Sequence, residues 1–163
     1  MAIKFRPNVG DILECDFGLW ADGVDFDGHI PPEMRKRRMV AVINARLDAK
    51  STLVVPISSS EGNKLNPINE FLPDTLFQVT HFYDKRDRYA LCGRLLSVSN
   101  ERLFPIYDKG VIIRQKLPND VISAIQRKII KAINAQSILR ELEAAQAENL
   151  ALKGEIDSLK KEL

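Results

Sequence analysis

Four basic residues, Arg35-Lys36-Arg37-Arg38, run without a break into the apolar stretch Met39-Val40-Ala41-Val42-Ile43. A run of charge like this suits a solvated loop. Arg38, however, abuts the apolar stretch directly, so its head group is held near the end of whatever sheet that stretch joins. A positioned guanidinium binds phosphate through two parallel hydrogen bonds. The second string with chemical content is Leu53-Val54-Val55-Pro56-Ile57-Ser58-Ser59-Ser60. An apolar strand here ends in three hydroxyls, each able to bond a phosphate oxygen or a base edge, although an ordinary polar turn looks the same. If the two apolar runs are paired neighbours, Arg38 and Ser58 lie close together at one edge of the sheet. A fixed cation beside a hydroxyl donor stabilises the negative charge that builds on phosphate oxygens during attack at phosphorus. Arg38 does not deprotonate in proteins, so it is a charge stabiliser and not a general base.

Other constellations are weaker. His29, nine residues before Arg38, is a candidate base, but as a lone loop histidine it has no identified partner. His81 sits beside Phe82 and Tyr83 and reads as a structural or ligand-facing residue. Cys15, Cys92, His29 and His81 show no Cys-x-x-Cys or His-x-x-x-His spacing, so no zinc site is expected. Asp22, Asp25 and Asp27 lack the spacing of a calcium loop and suit a solvated segment. No Gly-x-Gly-x-x-Gly, Walker loop or Gly-x-Ser-x-Gly is present. No cofactor and no metal is implied.

The elements that must position Arg38 and Ser58 are short strands. Ile12 to Phe17 follows a turn at Asn8-Val9-Gly10; Met39 to Ala45 and Thr52 to Ile57 are apolar or β-branched and flank a connection of hairpin length. Gln78 to Tyr83 and Tyr89 to Val98 are expected to form a second hairpin around the charged tip Asp84-Lys85-Arg86-Asp87. Gly110 to Arg114 is a last strand, and Ser99 to Phe104 suits one turn of helix. Closely spaced strands of this kind predict a mainly β fold, a small curved antiparallel sheet or barrel. Gly18 to Arg37 and Glu61 to Asp74 are read as long loops of the functional kind. From Pro118, Ile122, Ile125, Ile129 and Ile133 share one helical face. Nothing stops that helix before Gly154, and a single helix to Leu163 would run about 70 Å, with Asn134 to Ser137 as the place for a bend.

The tail carries a heptad seam: Ile138, Leu142, Ala145, Asn149, Leu152, Ile156, Leu159 and Leu163. Ile156 and Asn149 at a, with Leu152 and Leu159 at d, is the pattern of a parallel two-stranded coil. Glu148 and Glu155 at g face Lys153 and Lys160 at e of a second copy. Residues 1–134 are thus expected to form one β domain closed by a helix, and 135–163 a coiled-coil extension. From Gln136 the tail bears four basic and six acidic residues, leaving the body at net +4 of the chain's total of +2. A mildly basic body permits an anionic partner. No apolar run reaches the length of a membrane span and no secretory signal opens the chain, so a cytoplasmic protein with two reduced, buried thiols is expected.

The ordered set of Gly10-Asp11-Ile12, Asp16-Phe17, the basic loop into Arg38-Met39-Val40-Ala41-Val42-Ile43, Val55-Pro56 followed by Ser58, Ala90-Leu91-Cys92, and Val98-Ser99-Asn100-Glu101-Arg102-Leu103 resembles the MazF/PemK toxins of bacterial toxin–antitoxin pairs. The resemblance covers about Pro7 to Ile133. It implies an SH3-like barrel of the MazF/CcdB kind with a C-terminal helix, dimeric, that cuts single-stranded RNA without metal and is held in check by an antitoxin. The family's catalytic Arg falls on Arg38 and its hydroxyl residue on Ser58, with Lys36, Arg37, Ser59, Ser60, His81 and Arg94 placed to touch RNA. Trp20, Phe26 and Tyr89 are candidates for stacking on splayed bases. Two positions depart from the pattern. Met39 replaces the Pro that follows the family Arg, and Gly93 stands where many members carry an Asp. The missing carboxylate leaves open an alternative, a non-catalytic module of the same fold that binds RNA or protein and is assembled by its coil.

Overall fold

The computed structural model describes residues 3, 6–18, 36–45, 47–48 and 50–162, with backbone alone at 159, 161 and 162. Most of the first long loop, with Trp20, the three aspartates, Phe26 and His29, lies outside the described residues.

The centre of the molecule is an antiparallel sheet. Strand β1 (Asp11–Asp16) lies beside β2 (Arg37–Asn44), which lies beside β3 (Ser51–Ser58). The three match the expected strands to within two residues at each end. Both faces of this centre are buried, which is why its sequences read as nearly continuous apolar runs rather than alternating ones. On one face Ile12, Met39, Ala41, Ile43, Val55 and Ile57 pack together. On the other, Leu13, Cys15, Val40, Val42 and Val54 pack with Val98 and Leu103. The β2–β3 turn is tied by Asp48, whose Oδ1 accepts from the backbone N–H groups of Lys50 and Ser51, both at 2.6 Å.

The remaining strands are short: β4 (Glu70–Leu72), β5 (Arg88–Ala90), β6 (Leu96–Ser99), β7 (Leu103–Phe104), β8 (Ile106–Asp108), β9 (Val111–Ile113) and β10 (Gln115–Lys116). The sheet runs in the order β10-β1-β2-β3-β5-β4, with β6 also on β3 and β7 also on β1; β8 and β9 form a separate hairpin. Two expectations need correction. Gln78 to Tyr83 is no strand. The backbone N–H groups of Gln78, Thr80, His81 and Tyr83 are taken by side chains and by the segment's own turn, so they do not extend a ladder. β5 instead lies between β3 and β4, the latter inside the stretch read as the second long loop. Tyr89 to Val98 is likewise not one strand, because a 3-10 turn at Cys92–Arg94 divides it into β5 and β6.

Helix α1 (Asn119–Ala132) seals the first core face with Ile122, Ile125 and Ile129. Ile133, expected on that face, caps the helix and is 63% exposed. The continuous helix is also corrected. Asn134 adopts a left-handed φ of 58°, a conformation that Asn and Gly supply at helix ends. The chain then restarts as α2 (Gln136–Glu162). Arg127 and Glu143 form an ion pair at 3.1 Å, although an unbroken helix would separate them by about 24 Å. The break therefore turns α2 sharply, within the predicted bend. No helix among the described residues is long and apolar enough to cross a membrane.

Candidate functional site

The β2–β3 ladder brings the two chemical strings together. Its register pairs Val40 with Pro56 and Val42 with Val54. Two residues beyond Val40 and Pro56 lie Arg38 and Ser58. Because side chains alternate along a strand, both share the face of Val40 and Val54. They line one cleft of about 820 Å³, together with Arg37, Ser59, Ser60, His81 and Arg94. Of the residues expected to touch a nucleic acid, Lys36 is missing from this wall. It holds a positive φ of 65° and ties the start of β2 to the end of β1 through Phe17 N–H to its carbonyl, 3.2 Å, and its own N–H to the Gly18 carbonyl, 2.6 Å. Tyr89 does not line the cleft either; its ring packs against Phe71 at 5.8 Å.

The hydroxyl of Ser58 has a defined polarity. Its Oγ accepts from Asn63 Nδ2 at 2.9 Å and from the Ser60 N–H at 3.2 Å. A hydroxyl offers two acceptor lone pairs and one donor. With both acceptor directions used, what remains is the O–H, which suits a phosphate oxygen.

The cleft is strongly basic. Among the described residues that line it are five arginines, Arg37, Arg38, Arg86, Arg88 and Arg94, against one carboxylate, Asp84. The carboxyl of Asp84 is held below the usual range chiefly by its hydrogen bond with Arg86, so it is a weak base. Arg37 lies 4.1 Å over the ring of Phe104 and 3.6 Å from Glu14, whose other oxygen accepts from the Tyr83 hydroxyl at 2.7 Å. Burial, then the Glu14 partner, pushes that phenol well above its ordinary value, so it stays a proton donor to Glu14.

Sequence reasoning missed Arg88 as part of the site. It is only 5% exposed, its guanidinium donates to the Asp84 carbonyl at 2.9 Å, and the rings of Phe77 and Tyr83 lie 5.3 and 5.7 Å away. Its Nε has no hydrogen-bond partner among the described residues. Burial lowers its pKa, an effect that Asp84 opposes, but arginine stays charged throughout the physiological range. A fixed positive charge thus sits beneath the cleft. The only available signal was its place at the head of a strand, directly after a charged tip.

Gly93 is not among the cleft-lining residues, and among the described residues a Cβ added there would meet only Ile68 Cγ2, at 3.9 Å. The backbone has room for a side chain that the sequence does not supply. Cys15 and Cys92 belong to the two separate core faces. Among the described residues no group of three His, Cys, Asp or Glu stands together as a cation site.

The sequence pattern of the family described as PemK-like, MazF-like toxin of type II toxin-antitoxin system matches residues 9–133. The chain is 50% identical over 143 residues to an uncharacterised protein of Haemophilus influenzae, covering 85% of this chain and 99% of that relative. It is 34% identical over 148 residues to a putative uncharacterised protein, YifN, of Escherichia coli, with the same coverage of 85% and 99%. A match that runs from the first strand through the helix sealing the core shows that this chain belongs to the PemK-like, MazF-like toxins of type II toxin–antitoxin systems.

Proposed function

We propose that this chain is the toxin of a toxin–antitoxin pair and acts as a metal-independent, sequence-specific endoribonuclease on single-stranded RNA. The observation that carries this reading is the juxtaposition of Arg38 with a donor-poised Ser58 in a cleft whose described residues include five arginines and one carboxylate. In the reaction the ribose 2′-oxygen attacks the adjacent phosphorus and the bond to the 5′-oxygen of the next nucleotide breaks. A 2′,3′-cyclic phosphate and a 5′-hydroxyl result. The proton lost from the 2′-hydroxyl and the one gained by the leaving oxygen balance. Arg38 and the Ser58 O–H stabilise the charge on the nonbridging oxygens, and Arg37 and Arg94 hold flanking phosphates. Two imidazoles are candidates to take the 2′-proton: His29, outside the described residues, and His81 on the cleft wall.

The partners are a cognate antitoxin and a second copy. The seam residues Ile138, Leu142, Leu152 and Ile156 are each about half exposed or more in the single chain, and parallel pairing would cover them.

A second reading rests on Gly93. With no carboxylate there, and with Asp84 engaged by Arg86, the cleft could bind RNA or protein without cutting. Incubation with mixed RNA in EDTA separates the two. Discrete cuts ending in cyclic phosphate, lost in Arg38→Ala with the dimer intact, support the nuclease. Binding without cuts supports the module, and wild-type cutting by Arg38→Ala refutes the site assignment.

A further inference from the structure

The loop between β4 and β5 presents a large aromatic ring that folding leaves unused. Phe82 is 76% exposed, on the wall of the same cleft that holds Arg38 and Ser58. Its backbone setting is tightly specified. The Gln78 N–H donates to Gln115 Oε1 at 2.8 Å and the His81 N–H to Asp108 Oδ1 at 2.8 Å. Thr80 and Tyr83 close the tip on each other, with the Thr80 N–H donating to the Tyr83 carbonyl at 2.9 Å and the Tyr83 N–H to Thr80 Oγ1 at 3.0 Å. Thr80 is buried, and Tyr83 packs against the core. The tip is therefore anchored at both ends, and Phe82 is held out from it. The imidazole of His81 meets the Phe82 ring edge-on, with centroids 5.2 Å apart and planes at 80°, which limits the ring's swing. A phenyl ring so exposed gains little from burial within its own chain, while its face can stack on another flat surface.

We infer that Phe82 is a stacking platform for a nucleobase that flanks the phosphate held by Arg38 and Ser58. The inference rests on the nuclease reading and deepens it by naming what selects the strand. The occupant follows from charge: among the described residues of the wall, five arginines against one carboxylate call for an anionic partner. A polymer with a phosphate backbone and separable flat bases uses both kinds of surface at once, as single-strand binding sites do. An unpaired strand is required, since bases stacked in a duplex offer no free face to the ring.

Stacking and charge leave different signatures in a salt series. The probe is a short, mixed-sequence oligoribonucleotide with its 2′-hydroxyls replaced by fluorine, which blocks cleavage. Its binding to the full-length protein is followed by fluorescence anisotropy. Phe82→Ala should weaken binding about tenfold or more at every salt concentration without changing the salt slope. Phe82→Trp should retain wild-type affinity. Arg94→Ala should lower the slope by about one. The ring is exposed, so these variants should melt with the wild type. The inference is overturned if Phe82→Ala binds within twofold of wild type, on the order of 0.4 kcal/mol. It is also overturned if Phe82→Leu binds as tightly as wild type, since any apolar contact, including one to a protein, would then do. Absence of binding by the wild-type protein sinks the RNA reading itself, which is a separate result.

Discussion

Replacing Ser58 by Ala separates chemistry from folding more cleanly than any other single change. The hydroxyl is half-buried and accepts from Asn63 at 2.9 Å and from the Ser60 N–H at 3.2 Å. Both donors lie near the surface and can turn to water when it is gone, so the stability cost is about 1 kcal/mol or less. The catalytic cost is of a different size. If the O–H points at charge developing on phosphorus, its loss should lower kcat by about 10²–10³, or roughly 2.7–4 kcal/mol. Ser58→Thr keeps the hydroxyl and should stay far closer to wild type. Asn63→Ala frees the hydroxyl to rotate and should fall between wild type and Ser58→Ala. The assay is single-turnover cleavage of RNA in EDTA with protein in excess, beside a denaturant titration of each variant. Cleavage by Ser58→Ala within about threefold of wild type, far short of one lost donor, would refute the reasoning.

The thiols and the tail give further tests. Burial pushes Cys15 up to about 12, Arg102 offsetting and Asp16 adding to it, and pushes Cys92 up to about 11, both from an ordinary 9.0. The thiolate is the nucleophile, so folded protein should resist iodoacetamide near neutral pH and react only in denaturant. A raised acid pKa favours the protonated form when folded. The neutral thiols therefore cost nothing below pH 9.0, and stability should decline as pH climbs from there through the folded values. Rapid alkylation of the native chain would contradict this. Ending the chain after Asn134 removes only the exposed Arg127–Glu143 pair from the body's ion pairs among the described residues, so its melting should shift little. If the chain pairs with itself as proposed, the shortened dimer should dissociate at higher concentration by analytical ultracentrifugation. An unchanged dissociation constant would mean that α2 pairs with something other than itself.

The centre of the fold was legible because burial on both faces leaves an unmistakable trace: Met39 to Ile43 and Leu53 to Ile57 are apolar without alternation. The closeness of Arg38 and Ser58 was expected if those runs were neighbours, but a register shift between Val42 and Asn44, which no local signal announces, sets which residues of β2 and β3 face each other. The segment from Glu61 to Ser99 was not legible. Its strands are three or four residues long, too short for a period to declare itself, and β4 carries no more pattern than Glu70-Phe71-Leu72. Gln78 to Tyr83 has the β-branched and aromatic residues of a strand but is held by Gln115 and Asp108, distant residues that no local signal announces. Arg88 was hidden for the same reason, since its burial depends on Phe77 and Tyr83 folding over it. The end of α1 was half legible. Asn134 is a good left-handed residue, but the heptads that follow argue for continuity, and only the folded chain shows the break prevailing.

The double-sided packing of β2 and β3 has an evolutionary corollary. Arg37 and Arg38 stand exposed at the rim of strands whose middles are already secured from above and below. Arg37 reaches outward onto Phe104 and Glu14 rather than into either core face, so replacing a rim side chain leaves the packed centre of the sheet in place. If the proposed site is right, one nucleotide change at Arg38 would silence cleavage while the outline that a neutralising protein recognises persists. Disarmed copies of this architecture would then act as sponges, drawing antidote away from their active siblings.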